Sequence, residues 1–167
     1  MLNLRAFKDA DANVVASWLT NEKEFAWWSA GKLGSYPLNP QALCAFYAPG
    51  VASGDWFPKT MEEDGEVCGQ MLMRWEDKSE GLIHFGFIIV DGSKRGKGLG
   101  FAMLSMALEY AFHVKRANRV TLNVFEDNAP AIRCYERLGF VRGEALEIEM
   151  NRETRRAYRY ERRRNHG

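Results

Sequence analysis

Arg95, Gly96, Lys97, Gly98 and Gly100 stand together between an apolar run and a long helical pattern. The run is FGFIIV, residues 85–90, and it reads as a strand. Residues 91–94 make a short polar loop, and the helical pattern opens near Leu99. Strand, glycine-rich turn and helix start, in that order, make an anion site. The first turn of a helix has backbone N–H groups with no internal partner, at the positive end of the dipole. Glycine lets that backbone approach a phosphate, and Arg95 and Lys97 add positive charge. A phosphorylated cofactor is the expected ligand.

Spacing separates this loop from two common phosphate cradles. A P-loop has four residues between its first glycine and the Gly-Lys pair, then Ser or Thr. Here Gly92 to Gly96 is one residue short, and Gly98 follows Lys97 where the hydroxyl should be. A dinucleotide fingerprint reads GxGxxG, whereas Gly96, Gly98 and Gly100 spell GxGxG. The pattern that fits is Arg95-x-x-Gly98-x-Gly100. It resembles motif A of the GNAT superfamily of N-acetyltransferases, whose loop holds the pyrophosphate of acetyl-CoA. Members often carry Pro three residues before that Arg; this chain has Gly92.

A second stretch, residues 122–143, reads LNVFEDNAPAIRCYERLGFVRG. A strand ends at Val124. Asp127 or Asn128 caps a helix with Pro130 in its first turn. Ile132, Tyr135 and Leu138 line one face, and Gly139 ends the helix. The pattern L-x-V, N-x-x-A-I-x-x-Y, G-F resembles GNAT motif B and lies downstream of motif A in the family's order.

The resemblance implies an α+β fold: a central, mostly antiparallel twisted sheet of six to seven strands, splayed at the cofactor site and flanked by about four helices. It implies one N-acetyltransferase domain over residues 1–167. Acetyl-CoA is the implied cosubstrate, held by Ile88, Ile89, Val90, Arg95, Gly96, Lys97, Gly98, Leu99, Gly100, Asn123, Asn128 and Ala131. A backbone N–H of Ile89 or Val90 would polarise the thioester carbonyl. Tyr135 would face the sulfur and protonate the leaving thiolate. An alkylamine acceptor is protonated at pH 7, and removing that proton costs roughly 4 kcal/mol. His84, on the strand entering the loop, and Glu126, just past the next strand, are the candidate bases. The implied reaction is direct transfer to a primary amine of a small molecule or peptide N-terminus. The other reading is a catalytically silent CoA-binding sensor or interaction module.

Composition agrees with a folded chain: 167 residues, 46% hydrophobic and 27% charged, at net charge +1. That charge balance selects neither nucleic acid nor an acidic surface. Seven arginines lie within residues 152–164, balanced in part by glutamates, so solvated edge charge is expected there rather than a nucleic-acid partner. Three cysteines, Cys44, Cys68 and Cys134, have no metal-ligand spacing and read as free thiols of a reducing cytoplasm. No metal and no membrane segment are expected. Exposed strand edges near the C-terminus leave a homodimer open.

The remaining elements follow in order. Residues 2–7 alternate as a strand, and Asp9 or Asp11 caps the helix after it. Asn21 caps a short helix, and Asn39-Pro40 opens another that Pro49-Gly50 ends. Phe25, Trp27, Trp28, Tyr36, Phe46 and Tyr47 form either an aromatic wall for the acceptor or ordinary packing. Three strands follow, residues 56–61, 66–75 and 82–90, the first two joined by an Asp64-Gly65 turn. Residues 55–91 hold nine acids and three bases, which suits a cationic acceptor or simply charged turns. A helix over 99–116 and a strand over 120–124 complete a βαβ unit. Strands over 144–150 and 157–161 close the chain.

Overall fold

The computed structural model describes residues 1–150 and 153–165. Twelve elements follow in order: β1 (Leu2–Ala6), α1 (Asp11–Trp18), α2 (Glu22–Ser29), α3 (Pro40–Ser53), β2 (Trp56–Glu63), β3 (Glu66–Asp77), β4 (Leu82–Val90), α4 (Leu99–Glu109), β5 (Arg119–Phe125), α5 (Ala129–Arg137), β6 (Val141–Met150) and β7 (Glu153–Arg163). The strands form one seven-stranded sheet in the order β1-β2-β3-β4-β5-β7-β6. Every neighbouring pair is antiparallel except β4–β5, where α4 makes the crossover. This is the expected α+β architecture, with five helices.

The two faces of the sheet are covered differently. Leu99, Met103, Leu104, Ala107 and Leu108 of α4 bury one side of the helix against Met71, Met73, Ile83, Phe85, Val120 and Leu122. Tyr135 and Leu138, from α5 and its end, join the same cluster. On the other face, α1, α2 and α3 pack Val15, Trp18, Phe25, Trp28, Leu43 and Tyr47 over Leu72. A smaller cluster of Phe125, Met150 and Ala157 lies beneath Ala26 and Trp27 of α2. Apolar residues two apart on each strand therefore serve one helical layer or the other.

Turn chemistry behaves as the sequence dictates. Asp64 and Gly65 both take positive φ, 51° and 86°, the pair a two-residue type I′ hairpin demands. Asn21 and Asn39 cap α2 and α3 with their side-chain oxygens.

Four expectations need correction. Neither Asp9 nor Asp11 caps α1: its N-cap is Ala10, and the Asp11 carboxylate accepts instead from Lys8 N–H, the Arg5 guanidinium and Thr60 Oγ1. That buried network fastens α1 to β1 and β2. Pro49 does not end α3. The helix continues to Ser53, where Gly54 caps it, and Gly50 lets it lie directly on the Trp56 ring. The helix expected over 99–116 is α only to Glu109, then widens into a π turn from Tyr110 to Val114. Finally, the arginine-rich segment is not at an edge: β7 pairs with β5 on one side and β6 on the other. Arg155, Arg156, Arg159 and Arg163 each meet a carboxylate, and Arg162 and Arg164 donate to Leu138 O and Asn118 Oδ1. Arg152 lies outside the described residues.

A methyl group on Gly50 would stand 2.1 Å from Trp56 Cγ. The Gly50→Ala variant should therefore lose about 1–3 kcal/mol of unfolding free energy in urea titration, despite the better helix propensity of alanine.

Candidate active site

The site begins where β4 and β5 part. They pair from Leu82 and Arg119 to Phe85 and Leu122 and no further. On the other edge of β4, Gly86 faces Leu72 but Ile89 faces Gln70, so three steps on β4 match two on β3. The extra residue is a bulge at Phe87, whose φ is 49°. Trp28, Phe46 and Tyr47 hold the Phe87 ring, with centroids 5.2, 5.2 and 6.3 Å away. Beyond the bulge β4 stays on β3, and Asp91 N–H donates to Cys68 O at 2.9 Å. N–H groups alternate between the two edges of a strand. Ile89 therefore turns its N–H to β3, while Val90 turns its own into the gap that β5 has left.

The phosphate loop follows at once. Asp91 Oδ1 accepts from Ser93 N–H and closes a 3₁₀ turn over Gly92–Lys94. Gly96 and Gly98 take φ of 81° and 73°, and Gly98 is the N-cap of α4. Among the described residues, no backbone N–H from 95 to 101 donates to a protein acceptor. Nothing stands within 4 Å of where a Cβ would sit on Gly96, Gly98 or Gly100. Lys97 is exposed and meets no carboxylate among the described residues. Arg95 instead reaches Glu24 Oε2 of α2, at 2.8 Å. Leu99 is buried and anchors the helix start.

Opposite the loop lies α5. Its cap is Asn128, whose Oδ1 accepts from Ala131 N–H at 3.5 Å, while Asp127 pairs with Arg155. Ala131 is partly buried in the same cluster as Tyr135, Ile88 and Val90. Tyr135 is 7% exposed, and its ring rests on Phe140 with centroids 6.1 Å apart. Its hydroxyl has no protein partner among the described residues, yet it is not one of the sealed polar atoms. Burial pushes its pKa well above the ordinary phenol value, so it stays protonated. Asn123 is exposed on β5, in register with Arg159.

The cluster under α4 takes in Ile88, Val90, Leu99, Ala131 and Tyr135, with Gly98 capping α4 and Asn128 capping α5. The two candidate bases each meet another side chain. Glu126 is past the end of β5, half-exposed, with Arg156 Nε at 3.9 Å. His84 is on the opposite face of the sheet from α4, 8% exposed, with Nδ1 2.9 Å from Thr121 Oγ1. Sequence reasoning missed Phe87, since nothing marks a bulge within FGFIIV. It also missed Arg74, which interrupts the apolar β3 beside His84.

These observations meet known proteins at one point. The model of the Acetyltransferase (GNAT) family matches residues 19–140. The chain belongs to that family. The spermine/spermidine N(1)-acetyltransferase of Bacillus subtilis (strain 168) is 35% identical over 65 residues, 39% of this chain and 43% of that protein. The L-amino acid N-acetyltransferase AaaT of Escherichia coli (strain K12) is 33% identical over 79 residues, 46% of this chain and 48% of that protein. The matches to these relatives span less than half of their length. Among solved structures, the spermidine N-acetyltransferase from Vibrio cholerae in complex with CoA and spermine has a TM-score of 0.81 at 19% identity. It covers 97% of this chain and 95% of that one. That likeness is one of fold. No helix among the described residues is long and apolar enough to cross a membrane.

In this GNAT chain the face of the sheet that carries His84 is electrostatically unusual. Burial, with Arg74, Arg159 and Lys32 adding their charge, lowers the pKa of His84 to about 3. The folded ring is neutral where the unfolded chain would bind a proton, so stability falls as pH drops below about 6.5 toward 3. Between pH 7.5 and 5 the wild type should lose on the order of 2 kcal/mol more unfolding free energy than His84→Gln, measured by urea titration at both pH values.

Proposed function

We propose that the protein is an acetyl-CoA-dependent N-acetyltransferase acting on a primary amine of a small molecule or peptide N-terminus, by direct transfer in a ternary complex. The observation that carries this reading is the gap between β4 and β5. On one side it offers the Val90 N–H, at its mouth the unbonded amides of residues 95–101, and within the same cluster the Tyr135 hydroxyl. A diphosphate seated on those amides, with Lys97 beside it, leaves the pantetheine arm to run past Asn128 and Ala131 into the gap. The thioester carbonyl then takes the Val90 N–H, which stabilises the oxyanion as the tetrahedral centre forms.

The amine nitrogen attacks that carbonyl carbon. The new C–N bond forms, the C–S bond breaks, and the sulfur takes the proton of Tyr135, which regains one from solvent. The raised pKa of Tyr135 keeps that proton in place until a thiolate develops beside it. The amine's own proton leaves to water: His84 is bonded to Thr121 and takes up no proton near neutral pH, and Glu126 is engaged by Arg156. Relatives named for spermine, spermidine and L-amino acids put small amines within this reading. Three free thiols suit a reducing compartment such as the cytoplasm, and the exposed β6 edge suits a homodimer.

Free-thiol release from acetyl-CoA over a panel of amines tests the reaction. Tyr135→Phe should lower kcat by about 100-fold while the Kd for CoA, by calorimetry, stays within about threefold. Tight CoA binding with no thiol release on any amine would instead make the chain a silent CoA-binding module. The cradle is tested separately by Gly100→Ala. Its Cβ meets no protein atom and alanine favours the helix, so thermal stability should hold. The methyl group would occupy the phosphate approach, so CoA should bind about tenfold more weakly.

A further inference from the structure

The face of β4 turned away from α4 carries His84, then Gly86, then the bulge. Gly86 lies roughly 7 Å beyond His84 toward the gap. A Cβ on Gly86 would meet only His84 Cδ2, at 4.0 Å, so the sheet is open to a ligand there. Arg74 stands in register with His84 on β3, and Leu72 in register with Gly86. Lys32 comes from the loop after α2, and Arg159 from β7.

This wall holds three cations and one acid. Arg159 engages Glu76, whose other oxygen lies 3.8 Å from His84 Nδ1. Arg74 and Lys32 meet no carboxylate among the described residues. Burial holds Arg74 below its ordinary range, and partial desolvation of the otherwise exposed Lys32, with the Arg74 charge adding to it, lowers that of Lys32. For Arg74, Glu76 opposes the shift and Arg159 adds to it. Half-buried Arg74 and the solvent-facing Lys32, neither paired with a carboxylate among the described residues, leave this wall needing a counter-charge.

The acids between residues 55 and 91 do not answer that need. Glu62 pairs with Arg5, Glu66 with Lys94, Asp55 with Lys78 and Asp64 with the N-terminus. Asp77 and Asp91 bond within their own turns. Most of them lie at hairpin turns and strand ends, and Asp91, beside Val90, is taken up by Ser93.

Resting on the acetyl-transfer reading above, we propose that the acceptor is a primary amine bearing an anionic group, in the first place a carboxylate, which docks on Arg74 and Lys32 while the amine faces the Val90 end of the gap. A polyamine entering the same wall would set its charges against these cations without a free carboxylate to receive them.

The test compares glycine, β-alanine, 4-aminobutyrate, O-phosphoethanolamine, propylamine and spermidine by thiol release with wild type, Arg74→Gln and Lys32→Met. An anionic amine should exceed propylamine and spermidine in kcat/KM by at least about tenfold. Arg74→Gln and Lys32→Met should each raise its KM at least about fivefold, leaving propylamine turnover within about twofold. The carboxylate and phosphate arms tell which anion fits. Spermidine as the best acceptor, or an equal loss on charged and neutral amines in both variants, overturns the proposal. Should no amine turn over, calorimetric titration of the CoA complex decides. Heat from an anionic amine that both variants abolish upholds the proposal though the transfer reading fails, and no heat from any anionic amine overturns it. Lys32 is exposed, so its variant remains informative if Arg74→Gln fails to fold.

Discussion

Phe87 occupies a left-handed backbone conformation that a bulky side chain takes only at a cost on the order of 1–3 kcal/mol. Its ring is the means of holding it there. Trp28 from α2 and Phe46 and Tyr47 from α3 close around it, so helices on one face fix a backbone kink in the strand beneath. Tyr47 is itself tied to the sheet, its hydroxyl donating to Gln70 Oε1 at 3.0 Å. Gln70 sits opposite Ile89, the first residue of β4 to regain register with β3. The aromatic N-terminal segment is therefore packing and site at once: burying it shapes the gap in the sheet.

The charges follow a similar economy of position. Arg95 lies in the phosphate loop yet bonds Glu24, which in turn exchanges hydrogen bonds with Asn21 at the start of α2. The cap of one helix and the mouth of the glycine-rich loop thus share a carboxylate. Lys97 keeps its charge free at the same mouth. An exposed ion pair such as Arg95–Glu24 contributes little to stability, so its significance is geometric: it joins the loop to the helical layer that holds Phe87.

Much of this was legible in the sequence because local chemistry dictated it. Asp64-Gly65, Asn39-Pro40 and Asn21 act within a few residues, and so does the glycine spacing from Arg95 to Gly100. The βαβ unit around α4 was readable from periodicity and connection length. What escaped depended on distant partners. Pro49 should break α3, but contact of Gly50 with Trp56 outweighs that local rule. Asp11 looks like a helix cap until Arg5 and Thr60 are brought beside it. The bulge at Phe87 leaves no mark in FGFIIV, since helices earlier in the chain impose it. His84 was a candidate base from its place on the strand, whereas its burial among Arg74, Arg159 and Lys32 depends on segments far away in the chain.

The parallel contact between β4 and β5 spans four residue pairs. Among the described residues it is the sole strand pairing between the ribbon from β1 to β4 and the ribbon of β5, β7 and β6. The sheet is in effect two antiparallel leaves fastened at one corner, with α4 as the strap across the seam. A thioester arm lying in the open end would bond the facing edges of both leaves, as a short eighth strand would. Filling the gap would then stiffen the molecule across its weakest line, coupling ligand occupancy to the rigidity of the whole sheet.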